Sequence, residues 1–207
     1  MMMKLLGLSL VALLGAACGG DDGIDSDEEA RRAYLGLDSS LGKSLTLGFA
    51  GFNSATSANI APQMTTGILA GTLVISGQVD QGASDNKGMR LQVGMIDYND
   101  GTLILEEEDL EIDITYNTPT DLTLQPKLAL NLRSIPATSA SAPGTLSGTL
   151  VGDYAMTGDL EGTVSLNLMI TGSIVHDGTG VIRAVGTTTV TGTANSGDGT
   201  YDVSLTL

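Results

Sequence analysis

LAGTLVISGQV, residues 69–79, carries an apolar or small residue at every odd position: Leu69, Gly71, Leu73, Ile75, Gly77 and Val79. Alternation at a period of two marks a strand with one buried face. The next run repeats it. Met89, Leu91, Val93 and Met95 share one face, and Arg90 and Gln92 lie on the other. Asn99-Asp100-Gly101 follows as a turn signal. Leu103 and Leu105 then lead into the acidic run Glu106, Glu107, Glu108 and Asp109. Beyond it the alternation resumes on even positions, with Leu110, Ile112 and Ile114 opposite Glu111, Asp113 and Thr115. A change of parity inside one run predicts a β-bulge.

The same period continues downstream. Leu122, Leu124, Leu128, Leu130 and Leu132 form one run, in which Pro126 demands an edge or a bulge. SIPATSASAPG, residues 134–144, is the largest break in the β region and a candidate division of the sheet into halves. Leu146, Leu150, Tyr154 and Met156 follow, then Leu160, Val164, Leu166, Leu168 and Ile170. Val181, Val185 and the threonine-rich residues 187–193 predict one strand, and Tyr201, Val203, Leu205 and Leu207 the last. Turns fall at residues 157–159, at HDGTG (176–180) and at NSGDG (195–199).

Upstream, Ser26 and Glu29 have the spacing of a capping box. Tyr34, Leu37, Leu41, Leu45, Phe49 and Phe52 fall within about 120° on a helical wheel. This predicts an amphipathic helix over 26–47, with an extension to 52 as the alternative. Asp38 interrupts the stripe, and Gly36, Gly42, Gly48 and Gly51 lower the helix propensity. Residues 53–66, with Pro62, read as a connector.

The expected fold is mainly β (α+β). About eight strands form a strongly curved antiparallel meander, with the N-terminal amphipathic helix packed on its concave apolar face. Glycines inside the strands suit the curvature. A closed barrel or a two-layer sandwich is the alternative.

The chain begins with Met1 to Met3 and Lys4, an apolar run from Leu5 to Leu14, the small residues Gly15, Ala16 and Ala17, and then Cys18. This order of basic, apolar and small residues is that of a secretory signal. With cysteine directly after it, the segment resembles the lipobox of bacterial lipoproteins, although Gly15 stands where that family prefers leucine. The resemblance implies cleavage before Cys18, diacylglycerol on its sulfur and acylation of the new N-terminus. It divides the chain into a signal peptide (1–17), a lipidated tether (18–25) and a single β-rich domain with its N-terminal helix (26–207). It also implies a place in the bacterial cell envelope. Because Gly19 is not aspartate, the outer membrane is the expected destination.

Composition narrows the function classes. The 207 residues carry a formal net charge of -15. No basic patch is available for nucleic acid or for anionic lipid, so membrane attachment would come from acyl chains. One cysteine leaves no intramolecular disulfide. Five tyrosines, two phenylalanines and no tryptophan are too few for the aromatic girdles of a membrane barrel. No later run approaches the ~18 apolar residues of a membrane helix.

Reactive constellations are sparse. His176, the single histidine, stands beside Asp177 in a turn, and no G-x-S-x-G motif is present. One histidine without a free cysteine excludes most zinc arrangements. Glu107, Asp109, Glu111 and Asp113 would share one strand face and are a calcium candidate, set against a solvated face or guarded edge. No phosphate-binding or dinucleotide motif occurs, so no cofactor and no enzymatic activity are expected. Two readings follow. One is an anchored structural or interaction lipoprotein whose partner is an envelope protein. The other is a carrier of a lipid or other hydrophobic ligand, with a pocket lined by Phe49, Leu73, Met95, Leu130 and Leu166.

Overall fold

The computed structural model describes residues 23–105 and 110–207. Ser26 opens helix α1 (Asp27–Leu35), its Oγ accepting from the Glu29 N–H at 3.3 Å. The Glu29 carboxylate accepts from Ser26 Oγ at 3.1 Å and from the Asp25 N–H at 2.8 Å. The capping box thus closes one residue further upstream than its usual form.

The helix expected as one is two. α1 stops at Gly36, and α2 (Asp38–Ser54) continues past the expected end at 47. The cause lies in the sheet. Tyr116 Oη donates to the Ala33 carbonyl at 2.8 Å, the acceptor that a continuous helix would offer to the Leu37 N–H. Leu37 N–H turns instead to the Tyr34 carbonyl at 2.9 Å, tightening the turn. Gly36 permits the approach, since a Cβ there would sit 2.4 Å from Tyr116 Oη.

The strands are β1 (Asn59–Thr66), β2 (Ala70–Val79), β3 (Lys87–Asn99), β4 (Leu103–Leu105), β5 (Leu110–Ile112), β6 (Ile114–Asn117), β7 (Lys127–Arg133), β8 (Gly144–Gly158), β9 (Gly162–His176), β10 (Val181–Arg183), β11 (Thr189–Asn195) and β12 (Thr200–Thr206). The main sheet runs β1-β2-β3-β6-β8-β9-β11-β12, entirely antiparallel. β7 lies in the same lane as β6, between β3 and β8. β10 shares the lane of β11 against β9. Counted by lanes the sheet is therefore an eight-position meander.

Several local expectations change. Residues 59–66, read as part of a connector, form the edge strand β1, and the single strand expected across 181–193 is two, β10 and β11. The parity shift is not a bulge within one strand, because β4 and β5 form a hairpin of their own and only β6 joins the main sheet. Residues 134–144 connect β7 to β8 without dividing the sheet. Leu122 and Leu124 lie outside any strand, 55% and 64% exposed. Pro126 occupies the break between β6 and β7 in an interior lane, and its carbonyl accepts from the Val93 N–H at 2.8 Å. Gly152, at φ +152°, makes room for it: a Cβ there would fall 2.4 Å from Pro126 Cα.

One face of the sheet is buried along its whole width, from Leu73 and Ile75 through Met95, Leu130 and Leu166 to Val203. α2 packs on β1, β2 and β3 and also on β10. A single helix touches lanes so far apart only if the sheet curls around it. Tyr34, Leu37, Leu41 and Leu45 fill the concave side and are fully or almost fully buried. β1 and β12 form the two edges, so hydrogen bonding does not close the sheet into a barrel. Among the described residues no helix is long and apolar enough to cross a membrane.

Candidate functional site

Four connections gather at one end of the sheet: β1 to β2, β3 to β6, β8 to β9, and β11 to β12. α1 lies across this end and meets each in turn. Ser196 Oγ donates to the Ile24 carbonyl at 2.7 Å, and the Asp202 N–H to Asp27 Oδ1 at 2.7 Å. Arg32 stands 3.9 Å from Asp159. Tyr116 holds Ala33, and Leu35 ends beside Ile68 and Leu103.

Asp100 is the centre of this end. Its carboxylate accepts from Tyr98 Oη at 2.6 Å, from the Ile68 N–H at 3.1 Å and from Ser39 Oγ, and it pairs with Lys43. Burial, followed by the bond to Asp100, pushes the Tyr98 phenol well above its ordinary value. Asn99 supports the same turn. Its Nδ2 donates to Asp113 Oδ1 at 2.7 Å and to Thr115 Oγ1 at 2.9 Å, while its Oδ1 accepts from the Gly101 N–H at 2.6 Å. The turn signal at 99–101 therefore also ties α2, the β1–β2 turn and β6 together. A carboxylate with this many donors is held in place as a structural acceptor.

Beside Asp100 lies a hollow of about 360 Å³, lined by Leu35, Gly36, Ile68, Gly101, Leu103 and Leu207 among others. A second hollow, of about 420 Å³, lies between α2 and β10 and is bordered by Thr46, Phe49, Ala50, Val181 and Ile182.

Of the residues singled out by sequence, Cys18, Glu107 and Asp109 lie outside the described residues. Glu111 is exposed on β5, opposite Ile104, and Asp113 is engaged by Asn99. Among the described residues no group of three or more His, Cys, Asp or Glu is placed to hold a metal. Leu73, Met95, Leu130 and Leu166 are buried in the core and line neither hollow. Phe49 is half-buried and borders the second hollow. His176 Nδ1 accepts from the Gly178 N–H at 3.0 Å. Hydrogen bonds from the Thr179 hydroxyl and N–H and from the Gly180 N–H hold Asp177 down to about 2.

Sequence reasoning missed the partner of Asp38. Arg183 on β10 reaches both of its carboxylate oxygens. An acid on an otherwise apolar helical stripe was the signal that such a cation existed. No protein-family model matches the chain, and neither the curated proteins nor the solved structures contain a match.

Proposed function

We propose that this chain is an exported lipoprotein of the bacterial cell envelope, held on the outer membrane by acyl chains on Cys18, with a non-catalytic structural or interaction role. The observation that carries the reading is the basic, apolar and small-residue order of the first seventeen positions, ending directly at Cys18. The side chains that stood nearest to chemistry support the non-catalytic part. His176 and Asp177 are spent on fixing their own turn, and Asp100 on joining α2 to the sheet. Intact mass measurement and membrane fractionation test the anchor. The wild type is expected in the membrane with the added mass of lipid, and Cys18→Ser in the soluble fraction. Cys18→Ser retained in the membrane overturns the reading.

A second reading, a carrier of a hydrophobic ligand, is favoured by one observation: Phe49 borders an open hollow of about 420 Å³. Native mass spectrometry of the purified chain decides it, by the presence or absence of a co-purifying lipid.

A further inference from the structure

We infer that the apolar rim at the α1 end is a docking surface for a basic, amphipathic segment of another protein. The inference rests on the interaction role proposed above and not on the lipid anchor. Four aliphatic side chains stand exposed there. Ile68 and Leu69, on the β1–β2 turn, are 79% and 64% exposed; Leu103 and Ile104, on β4, are 36% and 59% exposed. They come from two separate connections that meet at Gly101, where a Cβ would lie 3.9 Å from that of Leu69. Ile68 and Leu103 also line the hollow of about 360 Å³, together with Leu35 and Leu207. Turn tips are ordinarily polar, and aliphatic residues gathered there mark a contact surface.

The backbone of this rim is fixed before any partner arrives. The Ile68 N–H is held by Asp100 at 3.1 Å and the Leu69 N–H by the Asn99 carbonyl at 3.1 Å. Little ordering cost is left for binding.

Charge sets the sign of the partner. Residues 96–117 contain no lysine or arginine. Glu111 is exposed directly across from Ile104, and Asp97 is exposed on β3 near the start of β2. The nearby cations Lys43 and Arg183 are engaged by Asp100 and Asp38, and Lys87 and Arg90 lie at the opposite end of β3. β4 turns Leu103 to the hollow and Ile104, with Glu111, to its other face, so a helix seated by its apolar face in the hollow would bring lysines or arginines to these carboxylates across the edge of β4. The same charge repels an anionic lipid surface.

The test uses the full chain with Cys18→Ser and a synthetic helix-forming peptide bearing leucines on one face and lysines on the other. Anisotropy titration in about 0.15 M salt limits non-specific attraction. Saturable binding is expected. Ile68→Ser combined with Leu69→Ser, and separately Glu111→Lys, should weaken it about tenfold or more with melting temperatures unchanged. A peptide with serine in place of leucine should bind far more weakly. No saturable binding, equal binding by the serine peptide, or equal binding by the doubly substituted chain overturns the inference. Because Ile24 and Asp27, close in sequence to the proposed anchor at Cys18, lie at this same end, a bilayer is the rival occupant. Phosphatidylcholine vesicles bound by the Cys18→Ser chain and lost with the double substitution, while the peptide still binds, would assign the rim to the membrane and overturn the inference. The lipid mass on Cys18 is measured separately, so failure here leaves the anchor reading standing.

Discussion

Arg183 grips both carboxylate oxygens of Asp38, at 2.8 and 2.5 Å, across 145 residues of chain. Tyr34 Oη adds a third bond to Asp38, at 2.8 Å. Burial pulls the Arg183 pKa down, but the bonds and charge of Asp38 outweigh it, and the guanidinium stays firmly protonated. The cluster joins the bend between the helices to β10. Asp38→Ala leaves the Tyr34 hydroxyl and a largely buried guanidinium without their carboxylate acceptor, only the residue 38 carbonyl still accepting from Arg183 at 3.2 Å, and is expected to cost about 2–4 kcal/mol in denaturant unfolding. Adding Arg183→Met should recover part of that loss. A single-variant cost below about 0.5 kcal/mol would mean that the pair behaves as an exposed one.

Four tyrosines should resist ionisation. Burial raises Tyr34, Tyr98, Tyr116 and Tyr154 well above their ordinary value of 10, with Asp38 adding to Tyr34 and Asp100 to Tyr98. Their folded values exceed the unfolded ones. The stability they contribute is therefore complete below pH 10 and is lost as pH climbs toward the folded values. Near-ultraviolet absorbance should show tyrosinate from these four appearing together with unfolding. Gradual ionisation near pH 10 in a chain that remains folded would refute this.

Gly36 is the tightest point between the helices and the sheet. A Cβ there meets Tyr116 Oη at 2.4 Å, and Tyr116 is fully buried with its hydroxyl on Ala33. Gly36→Ala is expected to destabilise by about 1–3 kcal/mol despite the better helix propensity of alanine. Tyr116→Phe combined with Gly36→Ala should cost less than Gly36→Ala alone. Thermal melts of the two variants check the order.

The acidic run tests the calcium candidate. Changing Glu106, Glu107, Glu108 and Asp109 to their amides removes like charges from a chain of net charge -15. Melting temperature should stay level or rise slightly at low salt. The rise should shrink as salt screens charges beyond ~10 Å at 0.1 M. A calcium-dependent increase confined to the wild type would instead make this run, with Glu111 and Asp113, a binding site.

Much of this fold is legible because its signals are local. Alternation names the buried face of β2, β3, β7, β8 and β9, and the stripe from Tyr34 to Leu45 names the helical face that covers them. What stayed hidden depends on contacts distant in sequence. The bend at Gly36 is set by Tyr116, and Pro126 is accommodated by Gly152 in the neighbouring strand. The hairpin at 103–112 imitates a bulge because both change the parity of the alternation. The rim of Ile68, Leu69, Leu103 and Ile104 escaped notice for a similar reason. Leu69 and Leu103 read as part of an apolar strand face, Ile68 and Ile104 fall out of step with that alternation, and only the assembled turns show that all four are exposed.

α1 and the strand that shelters it stand at opposite ends of the sequence, whereas α2 packs mainly on β1, the next element. In a meander each strand pairs with one made just before it, so the sheet is able to zip up progressively. α1 instead waits for β12, and the Ile24 carbonyl for Ser196, 172 residues away. During synthesis from its N-terminus, the chain releases its apolar helical stripe first and the last strand that shelters α1 at the end. Docking of α1 is therefore a late folding event, and the interval before it is when the chain is most exposed to aggregation and to proteases. Shortening the chain before β12 would prolong that interval indefinitely.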